Sequence, residues 1–145
     1  MSIHNLRWTD PSNPILVRRH QKSHKYSVDG LSLVMRLAIE IEGSPDTLLN
    51  SRMPVMLDFY ADWCAPCQEV SPVLAELAHE FEGKICLARV NVEAKPNTEL
   101  VERYEVYKLP TVIFIRHDSE ISRIVGAKSK DQYRTAVIET LKEDR

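Results

Sequence analysis

Two cysteines stand three positions apart in the segment Trp63-Cys64-Ala65-Pro66-Cys67. The segment follows a nearly continuous apolar run and precedes an apolar pattern with the period of a helix. At a helix N-terminus such a pair can close a small disulfide ring, and the first sulfur lies near unpaired backbone N–H groups and the positive end of the helix dipole. Both features favour a thiolate at Cys64, and a thiolate is the form that attacks disulfides.

Three other interpretations of the cysteine pair remain open at this level. A zinc site needs four ligands, but the third cysteine, Cys86, falls in a predicted strand, and no second Cys or His pair has suitable spacing. The pair could also be a purely structural disulfide or two inert core thiols. A C-x-x-C beside a βαβ pattern in an intracellular protein favours redox chemistry, so we expect no metal.

A carboxylic acid, Asp58, interrupts the apolar run from Val55 to Tyr60. An acid inside a buried strand is costly unless it is neutral, paired or hydrogen-bonded. Desolvation should raise its pKa toward the working pH, which suits proton transfer. The alternative is an acid at a strand end that reaches solvent or caps a loop.

The elements that must position these residues follow from hydrophobic periodicity. Strands are predicted near residues 36–41, 55–60, 85–92, 111–115 and 121–125. Helices are predicted from Ser44-Pro45, from Cys67 to Gly83, over 96–104 and after a capping box at Ser129. The early alternation implies parallel crossover units, and the late hairpin adds antiparallel strands. The pattern predicts an α/β fold with a mixed central sheet and helices on both faces.

Charge divides the 145-residue chain into two parts. Residues 1–36 carry a net charge of +4 and residues 37–145 a net charge of -6. We therefore expect a basic, mostly irregular arm over residues 1–35 and a single domain over 36–145. The overall charge of -2 argues against nucleic-acid binding. The chain shows neither a membrane-spanning apolar stretch nor a secretory signal, so we expect no membrane insertion and a cytoplasmic location.

Four features of the sequence resemble the thioredoxin family. The segment from Met56 to Cys67 is similar to the family's active-site stretch, and Leu109-Pro110-Thr111 is similar to its cis-proline loop. Val125-Gly126-Ala127 resembles the family's glycine after the last strand, and Pro72 resembles the proline in its active-site helix. The resemblance covers about residues 36–145. It implies a thioredoxin-like three-layer α/β/α sandwich with a mixed central sheet.

The resemblance also implies catalytic roles. Cys64 would be the exposed attacking thiolate, which forms a mixed disulfide with a substrate. Cys67 would be the resolving thiol, which completes the reduction and leaves a Cys64–Cys67 disulfide. Asp58 would be the buried carboxylate that helps to move a proton on or off Cys67.

A second set of residues would meet the substrate. It contains Trp63, Ala65, Pro66, Leu109, Pro110 and Gly126. Pro110 would be cis, although an ordinary trans proline is also permitted at a strand start. Trp63 would be an apolar cover beside Cys64 or a core aromatic, and Gly126 would admit a substrate backbone or simply end a strand.

The implied function is reduction of protein disulfides by a monomer that binds no cofactor. The redox-active Cys64–Cys67 pair would be recharged by a thioredoxin reductase, and that partner would consume the NADPH. The alternative is a binding or adaptor module that docks through its cis-proline groove and its basic arm. If the arm is instead a transit peptide, the location would be an organelle stroma or matrix.

The sequence departs from the family pattern at four places. Ala65 stands where many thioredoxins have Gly, and Gln68 stands where the family often has a basic residue. Arg89 occupies the position of a frequent lysine near the buried acid, and the turn at His117-Asp118 lacks the usual Asn-Gly. The first three changes leave open whether the dithiol is mainly a reductant or an oxidant.

Overall fold

The computed structural model describes residues 38–43, 46–50 and 52–143. The arm, residues 36–37 of the first predicted strand and the predicted cap Ser44-Pro45 lie outside the described residues. The elements are β1 (Ala38–Glu40), α1 (Asp46–Leu49), β2 (Val55–Tyr60), α2 (Ala65–Glu80), β3 (Cys86–Asn91), a 3-10 helix (Lys95–Asn97), α3 (Thr98–Arg103), β4 (Thr111–Arg116), β5 (Ser119–Val125) and α4 (Lys130–Lys142). This order confirms the predicted one.

The strands of the described residues form a five-stranded sheet in the order β1-β3-β2-β4-β5. The pairs β1–β3 and β2–β3 are parallel, and the pairs β2–β4 and β4–β5 are antiparallel. The predicted mixed sheet is therefore confirmed. All six residues of β2 are buried, as expected for the central strand of a sheet that is covered on both faces.

Two apolar cores lie on opposite faces of this sheet. Alternate residues of β2 divide between them, because successive side chains of a strand point to opposite faces. Met56 packs in the core under α2 and α4, whereas Leu57 packs in the core under α1 and α3. The arrangement is the expected three-layer α/β/α sandwich. Within the described residues, no helix is both long enough and apolar enough to cross a membrane.

The hairpin between β4 and β5 is closed by a two-residue turn. His117 and Asp118 have φ angles of 49° and 60°, which is the left-handed region. A two-residue hairpin turn of this kind requires positive φ at both positions, and Asn-Gly meets that requirement at least cost. The chain therefore keeps the geometry of the turn without the residues that most readily adopt it.

Candidate dithiol active site

The cysteine pair lies where β2 leads into α2. Cys64 is the N-cap of α2, with Ala65 and Pro66 in the first helical turn. Cys64 and Cys67 form a disulfide, and their Cα atoms are 5.3 Å apart. The backbone N–H of Cys67 donates a hydrogen bond to the sulfur of Cys64 over 3.2 Å. The first sulfur therefore lies at the helix N-terminus as predicted, where a thiolate would be stabilised.

Both cysteines are buried in this disulfide form. Cys64 is 4% exposed and Cys67 is 2% exposed. The expectation of an exposed Cys64 concerns the free thiolate, so in this disulfide form it stays a prediction. The sulfurs belong to a small cluster with Tyr60 and Ala61, against which Leu109 also packs. These neighbours cover the ring and leave little of the Cys64 sulfur in contact with water.

Trp63 is the exposed aromatic of the site. It is 69% exposed, so the alternative of a core aromatic is wrong. Its indole N–H donates a hydrogen bond to the Glu93 carboxylate over 2.8 Å. That bond gives the ring a polar anchor at one end and leaves its apolar surface open beside Cys64, where a partner could contact it.

The cis-proline loop lies against the dithiol. The Leu109–Pro110 peptide bond is cis, as the resemblance implied, and Leu109 packs on the cluster that contains both cysteines. The N–H of Gly126 donates to the Pro110 carbonyl over 2.7 Å. Gly126 directly follows β5 and has a φ of 80°, a conformation that favours glycine. Residues distant in sequence are thus brought to one site.

Asp58 is a buried acid on the central strand. The side chain is 1% exposed, so the alternative of an acid that reaches solvent is wrong. Burial raises its pKa from 3.8 to about 6, and the Arg89 guanidinium opposes part of that rise. The Nε atom of Arg89 lies 3.6 Å from Oδ2 of Asp58, which is longer than a hydrogen bond. The direction of the pKa shift agrees with the sequence-based prediction.

Three residues near Asp58 were not singled out as site residues by the sequence patterns. Glu40, Tyr60 and Ser71 surround Arg89 and contact it directly. The signal that could have found Glu40 is its place in the apolar stretch that contains β1, where an acid needs a partner. Ser71 carried no signal, since a serine on an amphipathic helix is ordinary.

The remaining cysteine lies apart from the dithiol. Cys86 is a buried thiol of β3, as its place in a predicted strand suggested, and belongs to the core on the α1 and α3 face. Among the described residues, no group of three or more His, Cys, Asp or Glu side chains could hold a metal ion. The zinc alternative therefore finds no ligand set in that part of the chain.

Comparison with known proteins identifies the family. The thioredoxin family model matches residues 42–139. The chain belongs to the thioredoxin family. It is 35% identical over 94 residues to a thioredoxin of Mycolicibacterium smegmatis, which covers 65% of this chain and 84% of that protein. It is 40% identical over 83 residues to a bifunctional thioredoxin reductase/thioredoxin of Mycobacterium leprae, which covers 57% of this chain and 18% of that protein.

A solved structure supports the same thioredoxin fold. The N21Q mutant thioredoxin from Halobacterium salinarum NRC-1 matches with a TM-score of 0.65 and 26% identity, over 72% of this chain and 90% of that one. Chloroplastic and mitochondrial thioredoxins are also among the relatives, and this chain spans 45% of a chloroplastic one and 51% of a mitochondrial one. The chain thus spans about half the length of these two relatives.

Proposed function

We propose that this thioredoxin-family chain is a thiol–disulfide oxidoreductase that reduces disulfides in other proteins. The observation that carries the proposal is the Cys64–Cys67 disulfide at the N-terminus of α2. The family works through such a redox-active disulfide and needs no prosthetic cofactor. The chemistry therefore requires two cysteines, a proton acceptor and a surface for the substrate.

In the first step, the Cys64 thiolate of the reduced protein attacks one sulfur of a substrate disulfide. The substrate S–S bond breaks, a mixed disulfide with Cys64 forms, and the leaving thiolate takes a proton from water. The Cys67 N–H, which donates to the Cys64 sulfur in the disulfide form, would hold the attacking thiolate in the same way.

In the second step, the Cys67 thiol gives its proton to Asp58 and attacks the Cys64 sulfur of the mixed disulfide. The second substrate thiolate leaves, and the Cys64–Cys67 disulfide forms. Two electrons have passed from the dithiol to the substrate. Asp58 is suited to accept the proton because burial raises its pKa to about 6, close to neutral pH.

The substrate would lie over the exposed side of the disulfide ring. Ala65 and Pro66 are exposed in the first turn of α2, next to the open face of Trp63. Leu109 would offer backbone hydrogen bonds to an extended substrate segment, with Pro110 and Gly126 beside it. The packing of Leu109 on the dithiol cluster supports this assignment.

The electron donor would be a thioredoxin reductase, and that partner would use NADPH. The name of the Mycobacterium leprae relative, which joins a reductase to a thioredoxin, supports this pairing. The chain would act as a monomer in the cytoplasm, or in a stroma or matrix if residues 1–35 are a transit peptide. The organellar relatives support the second location. The alternative of a docking module depends on the arm, which lies outside the described residues.

Reduction of insulin disulfides, with dithiothreitol as the electron source, tests the proposed activity. The wild-type chain should accelerate insulin precipitation, and Cys64→Ser should lose the effect because no attacking thiolate remains. Cys86→Ala is the matched control, since it removes a thiol that belongs to a different cluster from the dithiol and should keep the activity. An inactive wild-type chain, or an active Cys64→Ser variant, would contradict the proposal.

A further inference from the structure

Glu40, Arg89 and Asp58 form one row across three neighbouring strands. In the sheet register, Glu40 of β1 pairs with Arg89 of β3, and Arg89 pairs with Asp58 of β2. Directly paired residues point to the same face of a sheet. That face is the one under α2 and α4, because the residues two positions earlier in each strand pack in that core: Ala38, Leu87 and Met56.

Arg89 is held by a different partner at each part of its guanidinium group. Nη1 donates to Oε1 of Glu40 and Nη2 donates to Oγ of Ser71, both over 3.1 Å. The guanidinium carbon lies 3.7 Å from the ring centre of Tyr60, in cation–π geometry. With both terminal nitrogens engaged, Arg89 presents Nε to Asp58 at 3.6 Å.

Glu40 and Ser71 are themselves held in place. The second carboxylate oxygen of Glu40 accepts a hydrogen bond from the Tyr60 hydroxyl over 2.9 Å. The Ser71 hydroxyl donates to the backbone carbonyl of Cys67 over 2.9 Å. A polar chain therefore runs from the edge strand β1, through Arg89, to the carbonyl of the resolving cysteine.

The carboxylate of Asp58 has no hydrogen bond to another group of the described residues. If Glu40 did not bind it, the Arg89 guanidinium could turn two of its N–H groups toward Asp58. A two-bond pair of this kind strongly favours the ionised form of the acid. An acid held ionised in that way would be a poor acceptor for the Cys67 proton.

We propose that Glu40 is a positioning residue that holds Arg89 away from a two-bond pair with Asp58 and so keeps Asp58 able to exchange a proton with Cys67. This inference rests on the proposed function, because the proton exchange belongs to that reaction. Glu40 acts through Arg89 and touches neither substrate nor dithiol.

The ionisable groups around Asp58 lie on several neighbouring elements, and two of them are charged. Burial is the largest influence on the pKa of Asp58 and raises it. Arg89 lowers this pKa, and Glu40 raises it less strongly than burial does. Burial raises the pKa of Tyr60 and of Tyr133 on α4, so both phenols are neutral near pH 7. The two cysteines at the N-terminus of α2 carry no charge in the disulfide form.

The test is an NMR titration of the Asp58 carboxyl carbon in the full-length oxidised chain. Glu40→Met removes both oxygens that Arg89 and Tyr60 bind and keeps a side chain of similar length on a partly exposed edge strand, so the fold should hold, and amide spectra check it. The pKa of Asp58 should fall from about 6 in the wild type to about 5 in the variant, since a closer opposite charge lowers an acid's pKa. Glu42→Gln removes a nearby exposed acid and should change nothing.

A double-mutant cycle with Arg89→Met shows whether Glu40 acts through Arg89. In the Arg89→Met background, Glu40→Met should lower the pKa of Asp58 by less than half as much as in the wild type. An equal fall in both backgrounds would mean direct repulsion by Glu40 and would overturn the proposal. No fall in Glu40→Met alone would also overturn it. If the titrations come out as expected in a chain that fails to reduce insulin, the proposed function is contradicted, and only the control of the Asp58 pKa by Glu40 through Arg89 stands.

Discussion

Asp58 shows what burial does to a single ionisable group. Its pKa is about 6 in the folded protein and 3.8 when exposed. Below pH 3.8 the carboxyl is protonated in both the folded and the unfolded states. Between pH 3.8 and about 6 the acid ionises in the unfolded state but stays protonated in the folded state, so stability is lost as the pH rises through this window. The loss amounts to about 3 kcal/mol once it is complete.

Asp58→Asn should therefore stabilise the protein at high pH and slow its reaction. At pH 8 the free energy of unfolding should exceed that of wild type by about 3 kcal/mol, and the gain should shrink toward zero at pH 4. Insulin reduction at pH 7 should be slower, because the amide of the variant cannot accept the Cys67 proton. Denaturant unfolding at several pH values and the insulin assay measure the two effects.

Asp62→Asn is the control for this prediction, since Asp62 is an exposed acid beside the same disulfide. Its stability curve should follow that of wild type within about 0.5 kcal/mol at every pH. A stability gain in Asp58→Asn that does not depend on pH would contradict the assignment of the effect to a buried charge.

At the scale of the element, Cys64 has two functions in one position. It ends the connection from β2 and caps α2, while its sulfur is one half of the disulfide. The helix pattern in the sequence begins after Cys67, but α2 begins at Ala65. The first turn carries no apolar stripe because only Cys67 is buried there, while Ala65, Pro66 and Gln68 are exposed. Periodicity therefore cannot locate the first turn of such a helix.

The capping box of α4 gives the clearest element-scale prediction. Ser129 accepts from the N–H of Gln132, and the Gln132 side chain accepts from the N–H of Ser129. Ser129→Ala removes the first bond and should lower the free energy of unfolding by about 1 kcal/mol. Urea denaturation measures the loss.

Glu139→Ala on the same helix is the control for the cap. Glu139 is exposed in the last turn of α4, and alanine has at least as high a helix propensity. Its unfolding free energy should not fall. Equal losses in the two variants would show that the cap adds nothing beyond helix propensity.

At the scale of the whole molecule, we expect the basic arm to be separate from the redox domain. The family match begins at residue 42, and every residue assigned to the reaction lies between Asp58 and Gly126. Deletion of residues 1–35 should leave the initial rate of insulin reduction within about twofold of the full chain and the free energy of unfolding within about 0.5 kcal/mol. A large loss of either would mean that the arm is part of the domain or of its substrate surface.

Much of the fold was predictable because its signals are local. An apolar run, a stripe at helical spacing and a Ser-x-x-Gln cap each report on a few neighbouring residues, and these indicated the order of elements and the central position of β2. The cysteine pair and the buried acid were predictable for the same reason. The burial of Cys64 was not, because Leu109, from a distant part of the chain, packs on the cluster that contains it.

The amino-acid sequence by itself determined the dithiol, the acid in the central strand and the family to which the chain belongs. Those features depend on residue type and on short spacing. Only the tertiary structure decided that Glu40, Arg89 and Asp58 stand in one row, and that Ser71 links this row to Cys67. Their contacts join residues up to 49 positions apart. The pairing of parallel strands, which no local pattern specifies, brings them together.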